Sequence, residues 1–225
     1  MIHFLDALKL ISFSIHKEGY KFIAIFAIVT ALLMFLSNAL GLIGIVATLW
    51  CVFFFRDPER VIPVEENVII SPADGVVTRI DYGVEAPEDL GYGKKTFNKI
   101  SVFLNVFNVH VNRVPVSGKV VKVSYKPGKF LSANVDEASA ENERNSVIVQ
   151  TENGSEVIFC QVAGLVARRI VSELKEGQEV KMGDRYGIIR FGSRADIYLS
   201  EEVEIKTLVG QTMIGGETII AKFSS

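Results

Sequence analysis

Cysteine is scarce in this chain: Cys51 and Cys160 are the only two in 225 residues. Cys51 lies in the most apolar stretch and Cys160 in an apolar, strand-like run, so neither a disulfide framework nor a thiolate metal site is expected. That usage suits a reducing compartment. Histidine is equally sparse. His3, His16 and His110 are too few and too scattered for a His-rich metal site. Charge of one sign is missing as well, since the formal net charge is only −2. A general nucleic-acid binder needs a basic surface, so no nucleic-acid partner is expected.

Apolar residues are present in excess. They make up 49% of the chain and raise the mean hydropathy to +0.31. They are also concentrated, because no charged residue interrupts the 34 positions from Phe22 to Phe55. One membrane crossing takes about 20 residues, so the run is long for one span and short for two. Ser37-Asn38-Ala39 and Gly41 break it near the middle. An apolar α-helical hairpin over residues 1–55 is the expectation, associated with a membrane. Lys17 and Lys21 precede the run and Arg56 and Arg60 follow it. Basic residues on both flanks favour both ends on the cytoplasmic face of the cell membrane. The run starts late, is long, and lacks an A-x-A site before the next domain, so it does not read as a cleaved signal peptide. The competing reading is a buried helical hairpin in a soluble core.

Arg56-Asp57-Pro58-Glu59-Arg60 marks an abrupt change to charged sequence, and residues 56–225 read as a second domain. Short β-branched runs follow: Val68–Ile70, Gly75–Val77, Lys99–Leu104, Gly118–Val123, Ser146–Gln150 and Glu156–Cys160. Gly, Pro, Asn and Asp separate them, which is the pattern of an antiparallel, mostly β domain with little helix. A short helix over 139–144 is allowed. Gly177-Gln178-Glu179-Val180-Lys181-Met182-Gly183-Asp184 is echoed 33 residues later by Gly210-Gln211-Thr212-Met213-Ile214-Gly215-Gly216-Glu217. The echo is similar to the hairpins of biotinyl and lipoyl carrier domains. The expected fold class is therefore mostly β, an antiparallel sheet of barrel-sandwich type, preceded by the helical hairpin. A swinging-arm carrier presents a lysine at a hairpin tip, whereas the nearest candidate here carries Glu137.

Five segments concentrate charged or amide side chains beside Gly or Pro, as site loops do. They are Ser71-Pro72-Ala73-Asp74-Gly75, the stretch from Asn105 to Pro115 that contains His110 and Arg113, Ala140-Glu141-Asn142-Glu143-Arg144-Asn145, the stretch from Gln161 to Arg169, and Arg190-Phe191-Gly192-Ser193-Arg194-Ala195-Asp196. A lone Gly-Ser pair would be a turn. In this order, after Phe54-Phe55-Arg56-Asp57-Pro58-Glu59-Arg60, the set resembles the phosphatidylserine decarboxylase family in its short form, over Phe54 to about Asp196.

The resemblance implies an inactive proenzyme that cuts itself between Gly192 and Ser193. The Ser193 hydroxyl would attack the Gly192 carbonyl, and elimination and hydrolysis would leave a pyruvoyl group, a covalent pyruvate cofactor made from Ser193. The products would be a β chain of residues 1–192 and an α chain of 193–225, paired as a heterodimer. The pyruvoyl group would decarboxylate phosphatidylserine to phosphatidylethanolamine through a Schiff base, with the protein supplying position and proton transfer. Asp74 matches the family's acidic residue for self-cleavage. His110 matches a family histidine, and an imidazole that titrates near neutrality suits proton transfer. Longer relatives carry a second histidine where this chain has Arg113. Arginine cannot shuttle a proton near neutral pH, but it binds phosphate or carboxylate well, so Arg113 and Arg168 are candidate substrate-binding residues. Either Asp74 or His110, or both, would activate Ser193. The alternatives are an archaeal-type ether lipid with the same serine headgroup, and a non-enzymatic membrane-anchored carrier or adaptor.

Overall fold

A computed structural model describes residues 13–128, 142–164, 169–190 and 193–224. It divides the chain into two compact units, the residues up to Glu59 and Arg60–Ser225.

The first unit is the helical hairpin. Helix α1, Lys17–Leu36, is capped at its start by His16, whose Nδ1 accepts the Glu18 amide. It ends at Ser37, which is extended and starts helix α2, Asn38–Phe54, by accepting the Ala39 amide on its hydroxyl. Ser37 is thus the break that the sequence places in the apolar run. A side chain at position 44 would clash with Thr30, and the Thr30 and Thr48 hydroxyls hydrogen-bond at 2.9 Å between the helices. Two short strands close the base, β1 (Ser14–Ile15) and β2 (Arg56–Asp57), paired antiparallel. This pairing keeps Arg56 and Asp57 with the hairpin. Helix α1 is 20 residues long and apolar enough to cross a membrane. Phe35, Leu36, Leu42 and Ile43 are all exposed.

The second unit is mostly β, with β3 (Val68–Ile70), β4 (Gly75–Glu85), β5 (Thr96–Leu104), β6 (Val111–Arg113), β7 (Gly118–Lys126), β8 (Arg144–Gln150) and β9 (Glu156–Ala163). They are followed by β10 (Ile170–Ser172), β11 (Glu179–Val180), β12 (Arg185–Ile189), β13 (Ser193–Leu199), β14 (Glu204–Ile205), β15 (Thr212–Met213) and β16 (Ile219–Lys222). Every β-branched run picked out in the sequence lies in a strand. The only helix described here is the 3-10 turn Glu88–Leu90. Of the segment 139–144, Arg144 opens β8, and residues 139–141 and Glu137 lie outside the described residues.

Eight strands form one curled antiparallel sheet, a half-barrel, in the order β11-β7-β8-β9-β13-β5-β4-β15. Two three-stranded sheets accompany it, β10-β12-β6 and β14-β16-β3. The main core, including Val102, Val147, Phe159, Tyr186, Ile197 and Leu199, lines one face of the curled sheet. A second cluster, including Phe97, Ile158, Cys160 and Tyr198, covers the other. The central strand β13 is consequently buried along its whole length.

The glycine echo is a pseudo-two-fold repeat of backbone. Gly177, Gly183, Gly210 and Gly216 all have φ between 83° and 90°. Val180 pairs with Gly118 and Met213 with Gly75. A Cβ at either of those glycines would lie 2.2 Å from a carbonyl oxygen, of Gln150 and Phe103 respectively. The two Pro-containing turns brace each other: the Ile70 amide bonds to the Pro115 carbonyl at 3.1 Å, and the Arg113 amide to the Pro72 carbonyl at 2.9 Å.

Candidate active site

Ser193 is the first residue of β13, at one end of the central strand. Leu104 stands opposite it on β5 and Ala163 opposite it on β9. Strand alternation puts Ser193, Ala195, Ile197 and Leu199 on the core face. Ser193 is fully buried, and its Oγ has no hydrogen-bond partner. A buried hydroxyl without a partner costs on the order of 1–3 kcal/mol, which a protein tolerates where chemistry uses the group. The next residues turn to the opposite face. There Arg194 donates to both carboxylate oxygens of Asp196, at 2.8 and 2.9 Å, and Ser101 adds a 2.7 Å bond. This buried pair holds the start of β13 in register. Gly192, Phe191 and Arg168 lie outside the described residues.

Asp74 lies at the same end of the curled sheet, just before β4. Since Val76 pairs with Phe103, the register sets Asp74 two strands away from Ser193, about 10 Å at ordinary strand spacing. Its carboxylate is fully engaged. Arg60 Nη2 is 2.9 Å from each oxygen, and the Gly215 amide donates to Oδ1 at 2.8 Å. The pseudo-two-fold mate separates scaffold from addition here. Ser117 occupies the equivalent turn position, and its hydroxyl accepts the Met182 amide at 2.8 Å. Capping a backbone amide is thus common to both halves, whereas the ion pair to Arg60 belongs to the Asp74 half alone.

His110 is fully buried just ahead of β6, with Nδ1 3.0 Å from the Asn108 carbonyl. Its own carbonyl accepts the Ile189 amide at 3.3 Å. Ile189 ends β12, the strand that leads into Arg190 and on to Ser193. His110 therefore borders the segment that feeds the Gly192-Ser193 pair. Because Ser193 Oγ has no partner, neither His110 nor Asp74 hydrogen-bonds to it in this state. Arg113 is buried and gives Nη1 to the Gly183 carbonyl at 3.1 Å. A Cβ on Gly216 would touch both Arg113 and Arg60. The structure thus gathers Asp74, Arg60 and Arg113 into one knot around Gly215 and Gly216.

The site segments are not all loops. Val111–Arg113 is strand β6, Gln161–Ala163 ends β9, and Arg144 and Asn145 begin β8. Asn112, Asn145 and Gln161 are buried on these strands and bond to each other there. Glu143 accepts from the Tyr125 hydroxyl and the Ile170 amide, both at 3.0 Å. Arg144 pairs with Asp89 and with Ser146. Both tie the sheet together. Sequence reasoning read Arg60 only as a flanking charge and passed over Asn112, Gln161 and Asn145 as individuals, although each lies inside a segment it singled out.

Comparison with known proteins places the chain in a family. The family model described as phosphatidylserine decarboxylase matches residues 47–221, well over half of the chain. The phosphatidylserine decarboxylase proenzymes of Rickettsia akari, Rickettsia typhi and Rickettsia prowazekii are each 53% identical over 209 residues. Each match covers 93% of this chain and 90% of the relative. The chain belongs to the phosphatidylserine decarboxylase family.

Proposed function

We propose that this chain is a phosphatidylserine decarboxylase proenzyme that cuts itself between Gly192 and Ser193. Family membership supports the reaction class, and the name proenzyme among the relatives supports the cut. The observation that carries the assignment to Ser193 is its hydroxyl, fully buried, unpartnered, and fixed at the head of the central strand. Those features fit a group that is first a nucleophile and later the carbonyl-bearing end of a chain.

In this reading the Ser193 hydroxyl attacks the Gly192 carbonyl and the amide becomes an ester. Loss of the Ser193 Cα proton then eliminates the Gly192 carboxylate, ending the β chain at 192. Water converts the remaining dehydroalanine to a pyruvoyl end and releases ammonia. A serine hydroxyl needs a base for such an attack. Asp74 is assigned that role, reached by rearrangement of its Arg60 pair, and His110 carries protons in the later reaction. When formed, the pyruvoyl group supplies a ketone for the substrate amine and an acceptor for the electrons left as CO₂ departs.

The protein's part is position and exclusion of water. Leu104 and Ala163 flank the reacting residue, and all three are fully buried from bulk solvent. The ladders to β5 and β9 and the Arg194–Asp196 pair would hold residues 193–225 in place after the cut. Arg113 and Arg168 are assigned to the headgroup side, Arg113 by exchanging the Gly183 carbonyl for an anion. The apolar hairpin would anchor the enzyme at the cytoplasmic face of the membrane that holds its lipid substrate. Denaturing electrophoresis tests the cut. Freshly made protein should resolve into two chains, the smaller one reactive toward carbonyl reagents, and Ser193→Ala should remain a single intact chain without decarboxylase activity. A persistent single band from the unaltered protein would overturn the reading.

A further inference from the structure

Three buried amides run toward the site. Asn145 Nδ2 donates to Gln161 Oε1 at 3.3 Å, and Gln161 Nε2 donates to Asn112 Oδ1 at 2.9 Å. All three residues are 3% exposed or less. Donation runs from Asn145 through Gln161 to Asn112, and it leaves Asn112 Nδ2 as the terminal donor. That nitrogen is buried and has no hydrogen-bond partner.

The chain of amides lies on the Ser193 face. Gln161 stands directly opposite Ala195, while Ser193 stands opposite Ala163. Gln161 is thus the diagonal neighbour of Ser193 on the same face, about 7 Å away by ordinary sheet geometry. Two buried polar atoms lacking partners, the Ser193 hydroxyl and the Asn112 amide, are linked through this one glutamine. Asn112 is also two residues from His110, which is buried in the same stretch.

We infer that Asn112 Nδ2 is the hydrogen-bond donor that holds the carboxylate of the serine headgroup in the decarboxylation. This rests on the decarboxylase reading above and names a specificity-determining residue within it. Asn112 is fully enclosed, as suits the small reacting end of the substrate. A neutral donor also suits a group that loses its charge as CO₂ leaves. A guanidinium would stabilise the bound carboxylate more than the transition state and so oppose the reaction. An amide orients the carboxylate without a full counter-charge. The Asn145–Gln161 pair positions Asn112 by fixing which end of its amide points outward.

The test uses the self-cleaved enzyme and two soluble headgroups, O-phosphoserine and phosphoethanolamine, which differ by the carboxylate alone. Asn112→Asp keeps the shape and replaces the donor with an acceptor. Calorimetric titration should show phosphoserine affinity falling about tenfold or more while phosphoethanolamine affinity is unchanged. Equal weakening of both would assign Asn112 to the phosphate, and no change in either would remove it from the site. Either outcome overturns the inference. A crystal structure of the unaltered enzyme with phosphoserine gives the same test without a variant: the carboxylate must lie within hydrogen-bond reach of Asn112 Nδ2, and a carboxylate bonded elsewhere sinks the inference. Release of CO₂ from phosphatidylserine by the unaltered enzyme is measured alongside. Its absence would sink the decarboxylase reading itself, whatever Asn112 binds.

Discussion

Arg60 reaches across the turn before β4 and sets one nitrogen 2.9 Å from both carboxylate oxygens of Asp74. The pseudo-two-fold mate of that aspartate, Ser117, caps its amide with no such ion pair. Asp74→Ser therefore copies a solution that the same fold already uses. The variant is expected to fold, with a melting temperature below that of Ser193→Ala because the mostly buried Arg60 loses its partner. If the Asp74 carboxylate moves the proton in self-cleavage, cutting slows by about 10²–10⁴-fold, the usual contribution of a placed acid or base. Gel densitometry over time measures it. Cutting at the original rate would remove Asp74 from the chemistry.

Gly75 follows Asp74 directly and tests how tightly the turn is held. Its φ is 151°, and a Cβ there would sit 2.2 Å from the Phe103 carbonyl oxygen. Gly75→Ala should cost about 3 kcal/mol or more, combining backbone strain with displacement of a strand. Gly154→Ala is the control, since nothing lies within 4 Å of the added carbon. It should cost about 1 kcal/mol. Chemical denaturation midpoints of the two variants should separate clearly.

Burial pushes the Cys160 thiol up to about 12. At pH 8 only about one molecule in ten thousand would carry the thiolate that alkylating reagents require. Cys160 should remain unlabelled by iodoacetamide in the folded protein and react fully in denaturant. Rapid native labelling, read by peptide mass spectrometry, would show that the second core is open.

Burial raises the Asp89 carboxyl, but the Ser124 hydroxyl and the Arg144 guanidinium outweigh it and hold the group below the usual carboxylate range. A folded-state value below the unfolded one stabilises the protein above the unfolded pKa, about 3.9. That contribution is lost as the pH falls through the lower folded value. Asp89→Asn should therefore cost more stability at pH 6 than at pH 3, with the gap closing on acidification. A gap that is constant with pH would remove the ion pair as its cause.

Much of the fold was legible in the sequence because its signals are local. β-branched runs between turn residues gave the strands, Ser37 gave the break between helices, and repeated glycine spacing marked positions that need positive φ. The partners of the site residues were not legible. Arg60 finds Asp74 only once the turn before β4 closes. Gln161 and Asn112 are 49 residues apart in the chain and meet because β6 is brought against β9. The polar segments looked like loops since exposed loops and buried amide chains use the same residue types. Only the ladder shows that these side chains face inward.

Intact mass spectrometry of the smaller chain tests the central claim most directly. The account requires a fragment that runs from position 193 to Ser225, with a pyruvoyl group in place of the Ser193 residue. Sodium borohydride should shift its mass by two hydrogens as the ketone is reduced. An intact chain near 24.9 kDa with an unmodified Ser193, or a fragment that begins at another residue, would contradict it.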